Sequence, residues 1–161
     1  MARIIKETFE LGLTDVRWFI MGDDDTVFFV DNLITVLNKY DHNQMYYIGG
    51  NSESVEQDIV HSYAMAYGGG GIAISYPLAV ELVKLLDGCI DRYASLYGSD
   101  QKIEACLSEI GVPLTKELGF HQVYSHFPFC FSHDYWKFTY FDLINKWKFT
   151  INWFLVFSCK Y

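Results

Sequence analysis

The chain has 161 residues and a formal net charge of −8, with 12 lysines and arginines against 20 aspartates and glutamates. This acidic balance argues against nucleic acid as the main partner, because nucleic-acid binding depends on basic patches. Half of the residues are hydrophobic (51%), so we expect a single domain, or part of one, with a substantial core. The charge also fits a protein that handles an anion through a metal ion.

Hydrophobic spacing along the chain predicts helices that alternate with strands. The expected helices cover residues 2–12, residues 31–40 with Asp31 as N-cap, a stretch that begins near Pro77, and residues 99–110 with Ser99 as N-cap. The expected strands cover residues 16–22, 46–49, 63–67 and 72–75, with a polar loop at 50–58. This alternation implies an α/β layered fold. Residues 123–161 are crowded with aromatic side chains, and the stretch 136–157 allows either a helix or strands.

The four cysteines are too few for a dense disulfide framework in a chain of this length, and no C-x-x-C motif suggests structural zinc. Cys89 and Cys106 lie on two successive predicted helices. They form a disulfide if the compartment is oxidising, or remain two buried thiols. The histidines are scattered without metal-binding spacing and are interpreted as structural or surface residues: His42, His61, His121, His126 and His133.

Three adjacent carboxylates, Asp23, Asp24 and Asp25, interrupt the apolar stretch 18–30 and contain a D-x-D motif. Charge at the end of a buried strand is costly unless something pairs with it. Repulsion between neighbouring carboxylates makes a divalent cation a natural partner, and Mn²⁺ and Mg²⁺ both suit oxygen ligands. A solvated surface turn is the competing interpretation, but the apolar flanks favour a cation site.

Two further features carry candidate chemistry. The four glycines at 68–71 permit positive φ and close approach of a ligand to the backbone, although a flexible turn between strands is an equal alternative. Asp100 is predicted in the first turn of the 99–110 helix, where the helix N-terminus alone can account for a carboxylate. Its functional interpretation is a general base that accepts a proton from an attacking hydroxyl.

Together these features resemble the fringe-like β-1,3-glycosyltransferases of glycosyltransferase family 31, most closely their plant branch. The matching segments, in the same order and at similar spacing, are WFIMGDDDT at 18–26, YGGGGIAI at 67–74, and GSD at 98–100 running on to CLSEIGV at 106–112. The resemblance covers about residues 5–122. It implies a partial GT-A fold, which is a Rossmann-like α/β fold with a mixed sheet flanked by helices.

The resemblance also implies an inverting enzyme that moves a sugar from a UDP-sugar to the hydroxyl of a glycan or other acceptor. Asp25, with Asp23, would bind Mn²⁺ or Mg²⁺, and Asp100 would be the catalytic base. The implied donor-binding residues are Asp23, Asp24, Gly69, Gly70 and Gly71. Family members are typically Golgi membrane proteins that face the lumen, and their membrane anchor is expected only in a full-length protein.

The chain departs from the family pattern at both ends. The family domain begins upstream, with elements that hold the uridine, and later carries a histidine segment that supplies a metal ligand. We therefore expect residues 1–122 to be the central and C-terminal part of a truncated domain, and residues 123–161 to be a tail that does not match the family. An inactive fragment or pseudoenzyme that acts as a binding module is the main alternative. A metal-dependent phosphoryl-transfer or hydrolase domain is the third.

Overall fold

The computed structural model describes residues 2–24 and 26–121. Asp25 and the predicted tail at 123–161 therefore lie outside the described residues. Along the chain the elements are α1 (Ile4–Glu10), β1 (Trp18–Met21), α2 (Val30–Leu37), β2 (Tyr47–Gly49), α3 (Val55–Val60), a 3₁₀ turn (Gly68–Gly70), β3 (Ile72–Ser75), α4 (Tyr76–Arg92), α5 (Ser99–Ile110) and β4 (Leu114–Lys116).

The strands form one mixed sheet in the order β1-β3-β2-β4. β3 is antiparallel to both of its neighbours, whereas β2 and β4 are parallel. In this register Ile72, the first residue of β3, lies beside Met21 and Gly49, the last residues of β1 and β2. One edge of the sheet therefore collects the segments that follow β1, β2 and β4 and the segment that precedes β3.

Helices cover both faces of this sheet, because successive strand side chains point to opposite faces. On β3, Ile72 and Ile74 pack in the core shared with α1, α4 and α5, whereas Ala73 packs in the core shared with α2. On β1, Phe19 and Met21 likewise belong to the first core. The predicted α/β fold with a mixed sheet flanked by helices is confirmed, and it is compatible with a partial Rossmann-like fold.

Two predictions about the segment between β2 and β3 are wrong. Residues 63–67 form no strand, because the Tyr67 N–H donates to the Gly50 carbonyl (2.8 Å) and the Ala66 N–H donates to the Tyr47 hydroxyl (2.8 Å). These bonds satisfy the backbone outside any strand ladder. The predicted polar loop at 50–58 contains the start of α3, which Ser54 caps by accepting a hydrogen bond from the Gln57 N–H.

Two predicted N-caps are also shifted along the chain. α2 has Phe29 as its N-cap, so Asp31 lies inside the first turn, where the helix N-terminus stabilises a carboxylate. α5 has Gly98 as its N-cap, and Ser99 is the first helical residue. The predicted stop at Gly111 is confirmed, since this glycine ends α5 in the left-handed region with φ of 84°.

A disulfide links the two longest helices. Cys89 of α4 and Cys106 of α5 are bonded, with 5.8 Å between their Cα atoms, and both residues are buried. Of the two sequence alternatives, the structure shows the bonded pair. Among the described residues, no helix is both long enough and apolar enough to cross a membrane.

Candidate functional site

The acidic triplet and the glycine run meet at the same edge of the sheet. The triplet begins two residues after Met21, the glycine run ends at the residue before Ile72, and these two strand residues are paired. The antiparallel pairing of β1 with β3 thus brings together two segments that are about 45 positions apart in sequence.

The turn after β1 is closed by Thr26. The Asp23 N–H donates to the Thr26 hydroxyl oxygen (2.7 Å), and the Thr26 N–H donates back to the Asp23 carbonyl (3.1 Å). The carboxylates of Asp23 and Asp24 are exposed, and neither forms an ion pair with another described residue. Two oxygen-rich side chains are therefore available to a ligand at this edge.

The Thr26 hydroxyl also connects the acidic turn to the glycine run, because it donates to the Gly69 carbonyl (3.2 Å). Sequence reasoning did not identify Thr26 as part of the site. Its only sequence signal is its position directly after the triplet, and its partner lies 43 residues further along the chain.

The glycine run is a buried and packed turn. Gly68–Gly70 form a single 3₁₀ turn, and Gly71 follows with φ of 87°, a conformation that favours glycine. A Cβ atom at Gly71 would lie 2.7 Å from the ring of Phe28. A larger residue at Gly71 would therefore be strained by both its backbone conformation and its contact with Phe28. The contribution of Gly69, Gly70 and Gly71 to donor binding stays a prediction.

Asp100 lies on the other side of the glycine turn, in the first turn of α5 as predicted. One carboxylate oxygen accepts from the Gly68 N–H (3.2 Å), and the other accepts from the Gln101 N–H (2.9 Å). A Cβ atom at Gly98 would clash with an Asp100 carboxylate oxygen, so a larger residue there would require this carboxylate to move. Asp100 and the acidic turn are thus linked through consecutive glycines of one buried turn.

Beneath the site, a buried phenol supports the segment that leads into the glycine turn. Tyr47 is 1% exposed, and its hydroxyl accepts from the Ala66 N–H. Burial raises the pKa of Tyr47 well above its ordinary value, and the negative charges of Glu104 and Asp100 add to the effect. Tyr47 therefore anchors the segment before the glycine turn through the Ala66 N–H.

Polar pairs that sequence reasoning did not single out lie around the same edge. The Asn51 amide donates to the buried carboxylate of Asp58 (2.6 Å), just after β2. The Gln101 amide nitrogen lies 2.7 Å from Nδ1 of His61, which follows α3. The first pair joins the loop after β2 to α3 and the second joins residues 40 positions apart, so no local pattern predicts them.

The metal prediction depends on a residue outside the described ranges. Within residues 2–24 and 26–121, no three His, Cys, Asp or Glu side chains are grouped to hold a metal ion. The predicted ligand Asp25 is not among these residues. The cation site at Asp23 and Asp25 therefore stays a prediction.

Comparison with known proteins adds one family match. Residues 57–126, less than half of the chain, match a family model described as "Protein of unknown function, DUF604". The matched region contains the glycine turn and Asp100, whereas the acidic triplet precedes it. No curated protein matches the chain. This domain is known in the galactosyltransferase-like glycosyltransferase family 31, so the matched residues are similar to a domain of that family.

Proposed function

We propose that this chain is the acceptor-side and metal-side portion of a fringe-like inverting glycosyltransferase domain. The single observation that carries the proposal is the continuous set of contacts from Asp100 through Gly68 and Gly69 to Thr26 and the acidic turn. A sugar transferase of this class needs a base and a diphosphate-binding region on either side of the donor sugar. Here the predicted base, Asp100, and the predicted diphosphate-binding acidic turn contact the same buried glycine turn.

The donor set of the acidic turn fits a hard divalent cation. Asp23 and Asp24 present exposed carboxylates, and Asp25 adds a third in sequence. Mn²⁺ and Mg²⁺ prefer such oxygen ligands. In this proposal Asp25 and Asp23 would bind the cation, and Asp24 would contribute to nucleotide binding. When bound, the cation would neutralise charge on the diphosphate leaving group.

Asp100 is proposed as the general base. Its two backbone hydrogen bonds fix the carboxylate orientation, and each carboxylate oxygen retains capacity to accept a further hydrogen bond. As the acceptor hydroxyl attacks the anomeric carbon, its proton would pass to Asp100. The new C–O bond forms on the face opposite to the departing UDP, which leaves with the electron pair of the broken bond. One displacement of this kind inverts the anomeric configuration.

The proposal places the protein in the Golgi lumen, as in the family it resembles. The Cys89–Cys106 disulfide supports an oxidising compartment of this kind, because disulfides are rare in the reducing cytosol. A membrane anchor would belong to the full-length protein.

UDP binding is measured on the 161-residue chain and its variants, and turnover is measured on the full-length protein with the same substitutions. Isothermal titration should detect UDP binding that requires Mn²⁺ and that is lost in Asp25→Asn. The matched control is Asp91→Asn, an exposed aspartate on α4 that should bind UDP like the wild type. Absence of Mn²⁺-dependent UDP binding in the wild type would refute the proposal and favour the inactive binding module.

Turnover separates the remaining alternatives. Asp100→Asn should retain UDP binding but lower kcat for sugar transfer by about 100-fold or more, the usual contribution of a general base. Normal turnover in this variant would show that Asp100 is not the base. Release of inorganic phosphate without sugar transfer would instead indicate the phosphoryl-transfer or hydrolase alternative.

A further inference from the structure

The side chain of Gln101 is held by contacts at both ends of its amide. Oε1 accepts from the Gly98 N–H (3.0 Å), and Nε2 lies 2.7 Å from Nδ1 of His61. A backbone N–H can only donate, so the amide atom that faces Gly98 must be the oxygen. The atom that faces His61 is therefore the NH₂ group, which can only donate.

This orientation determines the protonation of His61. Because the Gln101 NH₂ group donates, Nδ1 of His61 must accept, and an accepting imidazole nitrogen carries no proton. His61 is consequently neutral in this arrangement, with its proton on Nε2. The imidazole acts as a fixed hydrogen-bond acceptor for the N-terminus of α5.

The same glutamine is the neighbour of Asp100 in sequence and in hydrogen bonding. Its own backbone N–H donates to one Asp100 carboxylate oxygen (2.9 Å), while its side chain closes the turn at Gly98. His61 is in turn tied to the end of α3, where its N–H donates to the Gln57 carbonyl (2.8 Å). α3 and the start of α5 are thus joined through one side-chain hydrogen bond, directly beside Asp100.

We propose that neutral His61, acting through Gln101, is a positioning residue that orients the Asp100 carboxylate toward the glycine turn. The effect on catalysis rests on the proposed function, whereas the effect on geometry does not. Loss of the acceptor at His61 frees the Gln101 amide, loosens the turn at Gly98 and lets the Asp100 carboxylate move away from the Gly68 N–H. Because the carboxylate would then be misplaced relative to the attacking hydroxyl, turnover would fall with little effect on binding.

Two variants of similar size separate the hydrogen bond from simple packing. His61→Asn retains an acceptor oxygen near the position of Nδ1, whereas His61→Leu removes the acceptor and keeps the bulk. We expect His61→Leu to lower kcat for sugar transfer about tenfold with unchanged KM for the donor, and His61→Asn to restore most of that loss. Equal turnover in the wild type and His61→Leu would overturn the catalytic part of the proposal.

A second readout does not require activity. In long-range ¹H–¹⁵N spectra of the wild-type chain, His61 should show a proton on Nε2 and none on Nδ1. The amide signal of Gly68 should shift in His61→Leu and return toward the wild-type position in His61→Asn. A proton on Nδ1, or a Gly68 signal unmoved in His61→Leu, would overturn the positioning role. If the wild type transfers no sugar but these signals behave as expected, the proposed function fails while the positioning of Asp100 stands.

Discussion

The link between the acidic turn and the glycine turn makes Thr26→Val the most informative single substitution. Valine keeps the branched shape of threonine but removes the hydroxyl, which accepts from the Asp23 N–H and donates to the Gly69 carbonyl. Water can replace the hydroxyl as the acceptor for the exposed Asp23 N–H, so the loss of this hydrogen bond costs little stability. Gly69 is buried, and its carbonyl loses a partner that water cannot easily replace.

The expected result is a loss of about 1–2 kcal/mol in the free energy of unfolding, dominated by the buried carbonyl. Urea denaturation followed by tryptophan fluorescence measures this loss. The matched control is Thr35→Val on α2, whose exposed hydroxyl donates to the Asp31 carbonyl within the same helix (2.8 Å). We expect that control to change stability by less than about 0.5 kcal/mol.

The second measurement on these two variants is Mn²⁺-dependent UDP binding. If the acidic turn binds a cation with UDP, Thr26→Val should weaken Mn²⁺-dependent UDP binding, whereas Thr35→Val should not, because the Thr26 hydroxyl, unlike that of Thr35, donates to the glycine turn. Equal stability loss in the two variants would show that the Thr26 hydroxyl does not hold the two turns together. That result would remove the observation on which the proposed function depends.

Two further predictions concern stability. Replacing Cys89 and Cys106 with alanine should lower the free energy of unfolding by about 3 kcal/mol, since the bond closes a loop with a sequence separation of 17 residues. Reductant should lower the urea midpoint of the wild type but leave that of the double alanine variant unchanged. A wild-type midpoint that reductant does not change would contradict the predicted contribution of the disulfide. Burial, with a hydrogen bond to Glu117, raises the pKa of Tyr40 from 10.0 to about 12, so its contribution to stability is complete below pH 10 and is lost as the pH rises toward 12. Urea midpoints measured over that range should fall less steeply in Tyr40→Phe than in the wild type, and parallel curves would refute the assignment.

Local sequence patterns were sufficient for most of the fold. Apolar spacing predicted β1, β2 and β3 and the helices α1, α2, α4 and α5, because side-chain periodicity depends on neighbours within a few residues. The aromatic residues at 63–67 favour a strand, but the backbone of this segment bonds to Gly50 and to the Tyr47 hydroxyl instead. Those partners become neighbours only after the chain has folded.

The candidate site also combines features that the sequence predicts with features that only the fold decides. The chemistry of Asp23, Asp24, the glycine run and Asp100 was readable from residue type and order, because carboxylates and glycines have properties that do not depend on the rest of the fold. The pairing of β1 with β3 decided that the acidic turn and the glycine run share one sheet edge, and the hydrogen bond from the Gly68 N–H places Asp100 beside them. Tertiary contacts alone revealed the hydroxyl of Thr26 and the His61–Gln101 hydrogen bond, which join residues 43 and 40 positions apart. A hydrogen bond needs two atoms about 3 Å apart, and only the folded backbone brings such distant residues to that distance.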